Sequence, residues 1–197
     1  GIIVLAVAIL PLLGVGGMQL YRAEMPGPMK EARITARIAD TAKALYAVYA
    51  GATAACALAL WAAGMSPFDA ICHAFSTVSL GGFSTRDSNI AAFNSLAVEI
   101  VMVAFMFVGA INFATHFLAW RGRNPWAYRA DAEAPAILVV IAAGFVAVAV
   151  YLHASGTYDS FAMALRYAFF NVASVGLGSG FASVDYTLWP VLLPHFL

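Results

Sequence analysis

Charge is scarce in this chain. Lys, Arg, Asp and Glu make up 10% of its 197 residues, against about 25% in a soluble domain, and 63% are hydrophobic against about 45–50%. That shortage excludes an ordinary hydrated globular surface and points to a bilayer. The ten basic residues balance the ten acidic ones, so no bulk field draws nucleic acid or an acidic partner. Cysteine is limited to Cys56 and Cys72, in apolar surroundings and without CxxC spacing. They read as membrane-buried thiols rather than a disulfide or a metal site. A start methionine and a basic leader are also missing, which argues against a signal peptide. The last residues, 189–197, stop inside a new apolar run. The expectation is that both ends are cut and that a longer protein contains this chain.

The apolar residues gather into long uncharged blocks. Residues 2–13 are too short to span and read as the end of a truncated helix. A polar stretch follows over 21–43. Residues 41–63 are nearly continuously apolar and, at about 1.5 Å per residue, reach across about 30 Å of hydrocarbon. Ser66-Pro67 interrupts the run, and Pro67 suits the first turn of a new helix. That helix, 67 to about 77, is too short to cross and ends at Gly81-Gly82. Residues 96–120 are long enough to span, 121–133 form a second polar loop, and 136–153 are the next spanning candidate. A second short helix, about 160–173, is followed by Gly176, Gly178 and Gly180.

The order long helix, short helix, glycine-rich loop thus occurs twice. Gly82-Phe83-Ser84-Thr85-Arg86-Asp87 aligns with Gly180-Phe181-Ala182-Ser183-Val184-Asp185, sharing Gly, Phe and Asp outright. The spacing is too long for a solenoid and reads as duplication of a membrane unit. Arg22, Lys30, Arg33, Arg37 and Lys43 lie in the first polar loop, and Arg121, Arg123 and Arg129 in the second. Both loops should therefore be cytoplasmic. An even number of crossings must separate them, so the intervening short helix is expected to be re-entrant.

Non-helical backbone at membrane depth is tolerated where it lines an aqueous cavity or is buried in protein. The candidate ion-binding residues are Thr77, Val78, Ser79, Leu80, Gly81 and Gly82 in the first loop, and Val175, Gly176, Leu177, Gly178, Ser179 and Gly180 in the second. Neither set contains a charge. A pore lined by them would bind a monovalent cation through carbonyl and hydroxyl oxygens, whereas a calcium site would need several carboxylates. Glycine permits the positive φ that turns successive carbonyls inward. Phe83 and Phe181 follow the loops. Asp87 and Asp185 come next, at the expected outer mouth, to attract cations or brace their own loops. His73 and Asn171 fall at matching positions in the short helices and are expected to brace the filters from behind.

Phe75-Ser76-Thr77-Val78 leading to Gly82-Phe83-Ser84-Thr85, and Asn171-Val172-Ala173-Ser174-Val175-Gly176 leading to Gly180-Phe181-Ala182, resemble the second and third filters of the Trk/Ktr/HKT superfamily of potassium transporters. Gly109-Ala110-Ile111-Asn112-Phe113-Ala114-Thr115-His116-Phe117 resembles the helix after the second filter, and Leu13-Gly14-Val15-Gly16-Gly17-Met18-Gln19-Leu20 the segment joining the first two repeats. The resemblance covers nearly the whole chain. It implies an all-α membrane protein built of potassium-channel-like units: transmembrane helix, re-entrant pore helix, filter loop, transmembrane helix. Residues 1–20 would end the first repeat, 21–43 and 121–133 would be cytoplasmic loops, 44–120 the second pore repeat and 134–197 a truncated third. Gly82 and Gly180 would be the shared filter glycines, K⁺ meeting them and the preceding carbonyls. The resemblance further implies potassium uptake across the bacterial inner membrane with no cofactor, a homodimer, and a cytosolic nucleotide-binding regulatory subunit. Two departures stand out. Leu177-Gly178-Ser179 occupies a stretch where more threonine hydroxyls are expected. The first and fourth filters are absent, so this chain alone should not conduct, and the family's gating loop would lie beyond Leu197.

Other readings compete. A carrier of Na⁺ and K⁺ built from repeats without a continuous pore would share the duplication. An intramembrane serine hydrolase would use Ser179 with His153 or His195 as base, but GxSG and GxSxG contexts both fail because position 177 is leucine. Glu99 lies in a spanning segment, where an ionisable group is a functional candidate, but near its outer end, where reaching the interface is the favoured alternative. Arg166, the one basic residue of the second short helix, would repel cations or pair with Asp159. Asn112 and His116, a turn apart on the 96–120 helix, are expected to bond across to neighbouring helices.

Overall fold

The computed structural model describes residues 38–131, 133–190 and 193. The expected first-repeat segment 1–20, residues 21–37 of the expected 21–43 loop and His195 lie outside the described residues, whereas residues 38–43, expected as loop, are already helical. Within them the chain is all helical, with no strand.

Helix α1 is Ile38–Ala62 and α2 is Pro67–Val78. Ser66 caps α2, its Oγ accepting from the Asp69 N–H at 3.1 Å, and Pro67 opens the first turn. A 3₁₀ turn, Asn89–Phe93, follows the first glycine loop. Residues 96–120, expected as one spanning helix, are interrupted: α3 is Leu96–Ala110 and α4 is Phe113–Gly122. Asn112 makes the break by taking non-helical backbone angles and accepting the Ala114 N–H on its side chain at 2.9 Å. Asparagine stabilises a helix start better than a helix interior. Asn112 and His116 therefore do not share a continuous helix with the segment before them. Helix α5, Ala127–Ala130, lies in the second polar loop, α6 is Glu133–Ala154, and α7 is Phe161–Gly176. Helix α7 runs farther than expected and takes in Gly176. A second 3₁₀ turn is Tyr186–Leu188. Ala44–Ala62 and Glu133–Ala154 are long and apolar enough to cross a membrane, and α3 with α4 makes a third span if the two count as one.

The chain divides into two compact units. In the unit of 1–51 and 111–136, Ala44 and Val48 of α1 pack on Ala114 and Phe117 of α4. Thr115 Oγ1 donates to Asp131 Oδ2 at 2.7 Å, and His116 Nδ1 meets the Tyr128 hydroxyl at 2.9 Å. In the unit of 52–110 and 137–197, α3 packs against both α2 and α7. Ala149 and Leu152 of α6 bury against Ala164 and Ala168 of α7 and Trp189. Small residues let these helices approach closely.

Candidate functional site

Both glycine loops lie in the second unit. Each begins in the last turn of its short helix, where Thr77 and Val78, and Val175 and Gly176, are still helical. The two segments then turn by the same hydrogen bonds. Ser79 N–H donates to Phe75 O and Leu177 N–H to Ala173 O. Leu80 N–H donates to Thr77 O and Gly178 N–H to Val175 O. Gly81 N–H donates to Ser76 O at 2.7 Å and Ser179 N–H to Ser174 O at 2.8 Å. The backbone signs match as well: φ is +55° at Leu80 and +75° at Gly178, then +70° at Gly82 and +83° at Gly180. The duplication is thus one of conformation as well as sequence. Leucine at Leu80 stands in the left-handed region where the other copy uses glycine.

The loops meet at their glycines. A Cβ on Gly82 would overlap the carbonyl oxygen of Ser179 and lie 3.2 Å from the Gly180 carbonyl carbon. Gly109, on α3, lets that helix press on the end of α2: a Cβ there would lie 2.7 Å from the Val78 carbonyl oxygen. Three buried hydroxyl oxygens, Thr77 Oγ1, Ser174 Oγ and Ser179 Oγ, have no hydrogen-bond partner among the described residues. Among the described residues, then, Ser179 has no hydrogen bond to a base, and His153 Nδ1 instead faces the Tyr158 carbonyl at 3.4 Å.

His73 and Asn171 occupy matching places behind the loops. His73 Nδ1–H donates to Asp69 O at 2.8 Å, leaving Nε2 to accept from the Ser84 hydroxyl at 2.9 Å. Asn171 Nδ2 donates to Tyr167 O at 2.8 Å and to Ser183 Oγ at 3.0 Å, while its Oδ1 accepts the Ser183 N–H at 3.2 Å. Each side chain ties its own helix to the segment after the loop. The two phenylalanines differ: Phe181 is fully buried and stacked on His73, with centroids 6.1 Å apart, whereas Phe83 is 81% exposed. Asp87 is exposed, and Asp185 caps the 3₁₀ turn by accepting the Thr187 N–H at 3.1 Å.

Several contacts were not foreseen from the sequence. Asp69, buried in the first turn of α2, accepts from Ser66, Thr85 and Arg86. The hydrogen bonds from Thr85, Arg86 and Ser66, with the Arg86 charge, hold its carboxyl down to about 2. Arg166 pairs with Glu99, not Asp159, at 2.7 Å. Asn89 reaches the segment after the other loop, its Oδ1 facing the Ala182 N–H at 3.4 Å, and the Ile90 N–H donates to Ala182 O at 3.0 Å. For the close approach of α3 to Val78 the sequence held one signal, Gly109, a glycine inside an apolar helix.

The family model for TrkH, described as cation transport protein, matches residues 1–194. The chain belongs to the TrkH family. It is 48% identical over 197 residues to the Trk system potassium uptake protein TrkH of Halomonas elongata and 46% identical to that of Escherichia coli K12, covering 100% of this chain and 41% of each relative. The crystal structure of the potassium transporter TrkH from Vibrio parahaemolyticus is similar, with a TM-score of 0.80 at 40% identity, over 100% of this chain and 39% of that one. This TrkH-family chain therefore spans about two fifths of the length of the curated relatives it matches.

Proposed function

We propose that this chain supplies the second and third pore repeats, 44–120 and 134–197, of a potassium uptake protein in the bacterial inner membrane. K⁺ passes between uncharged loops and is held by the carbonyls that precede Gly82 and Gly180. One observation carries the reading: two loops with the same hydrogen bonds and the same alternation of backbone sign meet main chain to main chain at Gly82 and Ser179–Gly180. Carbonyl dipoles in such loops replace the hydration shell of an alkali ion without trapping it. The hydroxyls of Thr77 and Ser179, unpartnered among the described residues, add neutral oxygens within the loops. His73 and Asn171 brace the loops, Phe181 packs behind the third, and Asp87 and Asp185 place negative charge after them. Relatives that are potassium uptake proteins support K⁺ as the cargo. No catalytic step and no cofactor enter this reading. A homodimer and a cytosolic nucleotide-binding regulator complete the assembly.

Rubidium and sodium uptake by the intact protein tests the assignment. Gly82→Asp and Gly180→Asp are each expected to abolish uptake or erase the K⁺ over Na⁺ preference. Unchanged preference in both variants would remove these loops from the ion path.

A further inference from the structure

The Glu99–Arg166 pair has the geometry of an alignment device. Arg166 Nε lies 3.0 Å from Glu99 Oε2, and Arg166 Nη2 lies 2.7 Å from Oε1 and 3.2 Å from Asn94 Oδ1. The Glu99 side chain is 1% exposed and that of Arg166 25%. A two-pronged, charge-assisted contact fixes orientation as well as distance. Glu99 stands on α3, and Arg166 on α7, the short helix that leads into the second glycine loop. Farther along α3, Gly109 abuts the Val78 carbonyl, where α2 gives way to the first loop. One helix thus grips the short helices of both copies. Asn89 and Ile90 add a second tie, from the segment after the first loop to Ala182, two residues past Gly180.

We infer that Glu99 and Arg166 are positioning residues that set the alignment of the second filter against the third, and through it the preference for K⁺ over Na⁺. The pair touches no ion in this scheme. It holds α7 against α3, so that Ser179–Gly180 faces Gly82 at main-chain distance. The inference rests on the filter reading above.

The experiment uses the intact protein in membranes, with Rb⁺ and Na⁺ uptake normalised to the amount of transporter. Glu99→Gln keeps the shape and removes the charge. Arg166→Lys keeps the charge and removes the fork. Each is expected to lower the K⁺ over Na⁺ preference by about tenfold, the scale of a coupling between contacting residues of about 1.4 kcal/mol. The exchanged pair, Glu99→Arg with Arg166→Glu, should recover part of that preference. Wild-type preference per molecule in both single variants would overturn the inference. So would single variants that fail to accumulate, if the exchanged pair restores their amount without the preference, because the pair would then be a folding strut. Gly82→Asp and Gly180→Asp are measured alongside. A changed preference there with none at Glu99 or Arg166 sinks the alignment role alone, whereas no change in both the Gly82→Asp and Gly180→Asp proteins sinks the filter reading.

Discussion

Gly82 lies so close to Ser179 that a single methyl group on its α-carbon would overlap the Ser179 carbonyl oxygen. Gly180, its counterpart in the second loop, has open space around its own Cβ position. Both glycines have positive φ, so alanine is strained at either, but only at Gly82 does it also collide with backbone. Gly82→Ala is expected to cost about 1–3 kcal/mol more than Gly180→Ala. Thermal melting of the purified intact protein in detergent measures the difference, and equal melting temperatures would contradict the approach of the two loops.

Leu80 takes φ of +55° where the second loop has Gly178 at +75°. Glycine there would relieve strain of roughly 1–2 kcal/mol and add unfolded-state entropy of roughly 0.5–1 kcal/mol. Leu80→Gly should melt at or slightly above the wild-type temperature. Leu80→Val, with a branched Cβ in a region such residues avoid, should melt lower.

Gly109 permits α3 to touch the Val78 carbonyl oxygen. Gly109→Ala improves helix propensity by about 1 kcal/mol in isolation, yet backbone cannot yield as a side-chain tip does. The substitution is expected to destabilise the intact protein and reduce Rb⁺ uptake per molecule. An increase in stability with unchanged uptake would mean that the helix stands clear of the first loop.

Asp69 is held at about 2, below the ordinary 3.8, first by the Thr85 hydrogen bond and then by Arg86 and Ser66. A carboxyl depressed by folding contributes stability above its unfolded value and loses it as pH falls through its folded value. Melting temperature should therefore be insensitive to this group between about pH 5 and 8 and should decline from about pH 4 towards pH 2. Asp69→Asn should be less stable at neutral pH and should lack that acid step. The same acid step in both proteins would assign it to other carboxylates.

Much of the local architecture is legible in the sequence. Pro67 after Ser66 marks a helix start, and glycines at 82 and 180 mark turns that need positive φ, because proline and glycine act through their own backbone geometry. His73 and Asn171 could be placed behind their loops because both copies set them at one offset. The interruption at Asn112 was hidden in an apolar run. An asparagine there serves equally as an interhelical donor or as a cap, and only the path of the backbone distinguishes these uses. For Arg166 the sequence left repulsion of cations and pairing with nearby Asp159 both open, since proximity along the chain was the one guide to a partner.

Composition, hydropathy and the doubled glycine motif by themselves determined that this is an all-helical membrane chain with two copies of one unit. Those properties follow from solvent transfer and from backbone limits that act residue by residue. Tertiary structure alone decided that α3 holds the short helices of both copies, that Glu99 meets Arg166, and that Gly82 faces Ser179. Contacts of that kind join residues remote in sequence, and which surfaces meet is settled only when whole helices pack.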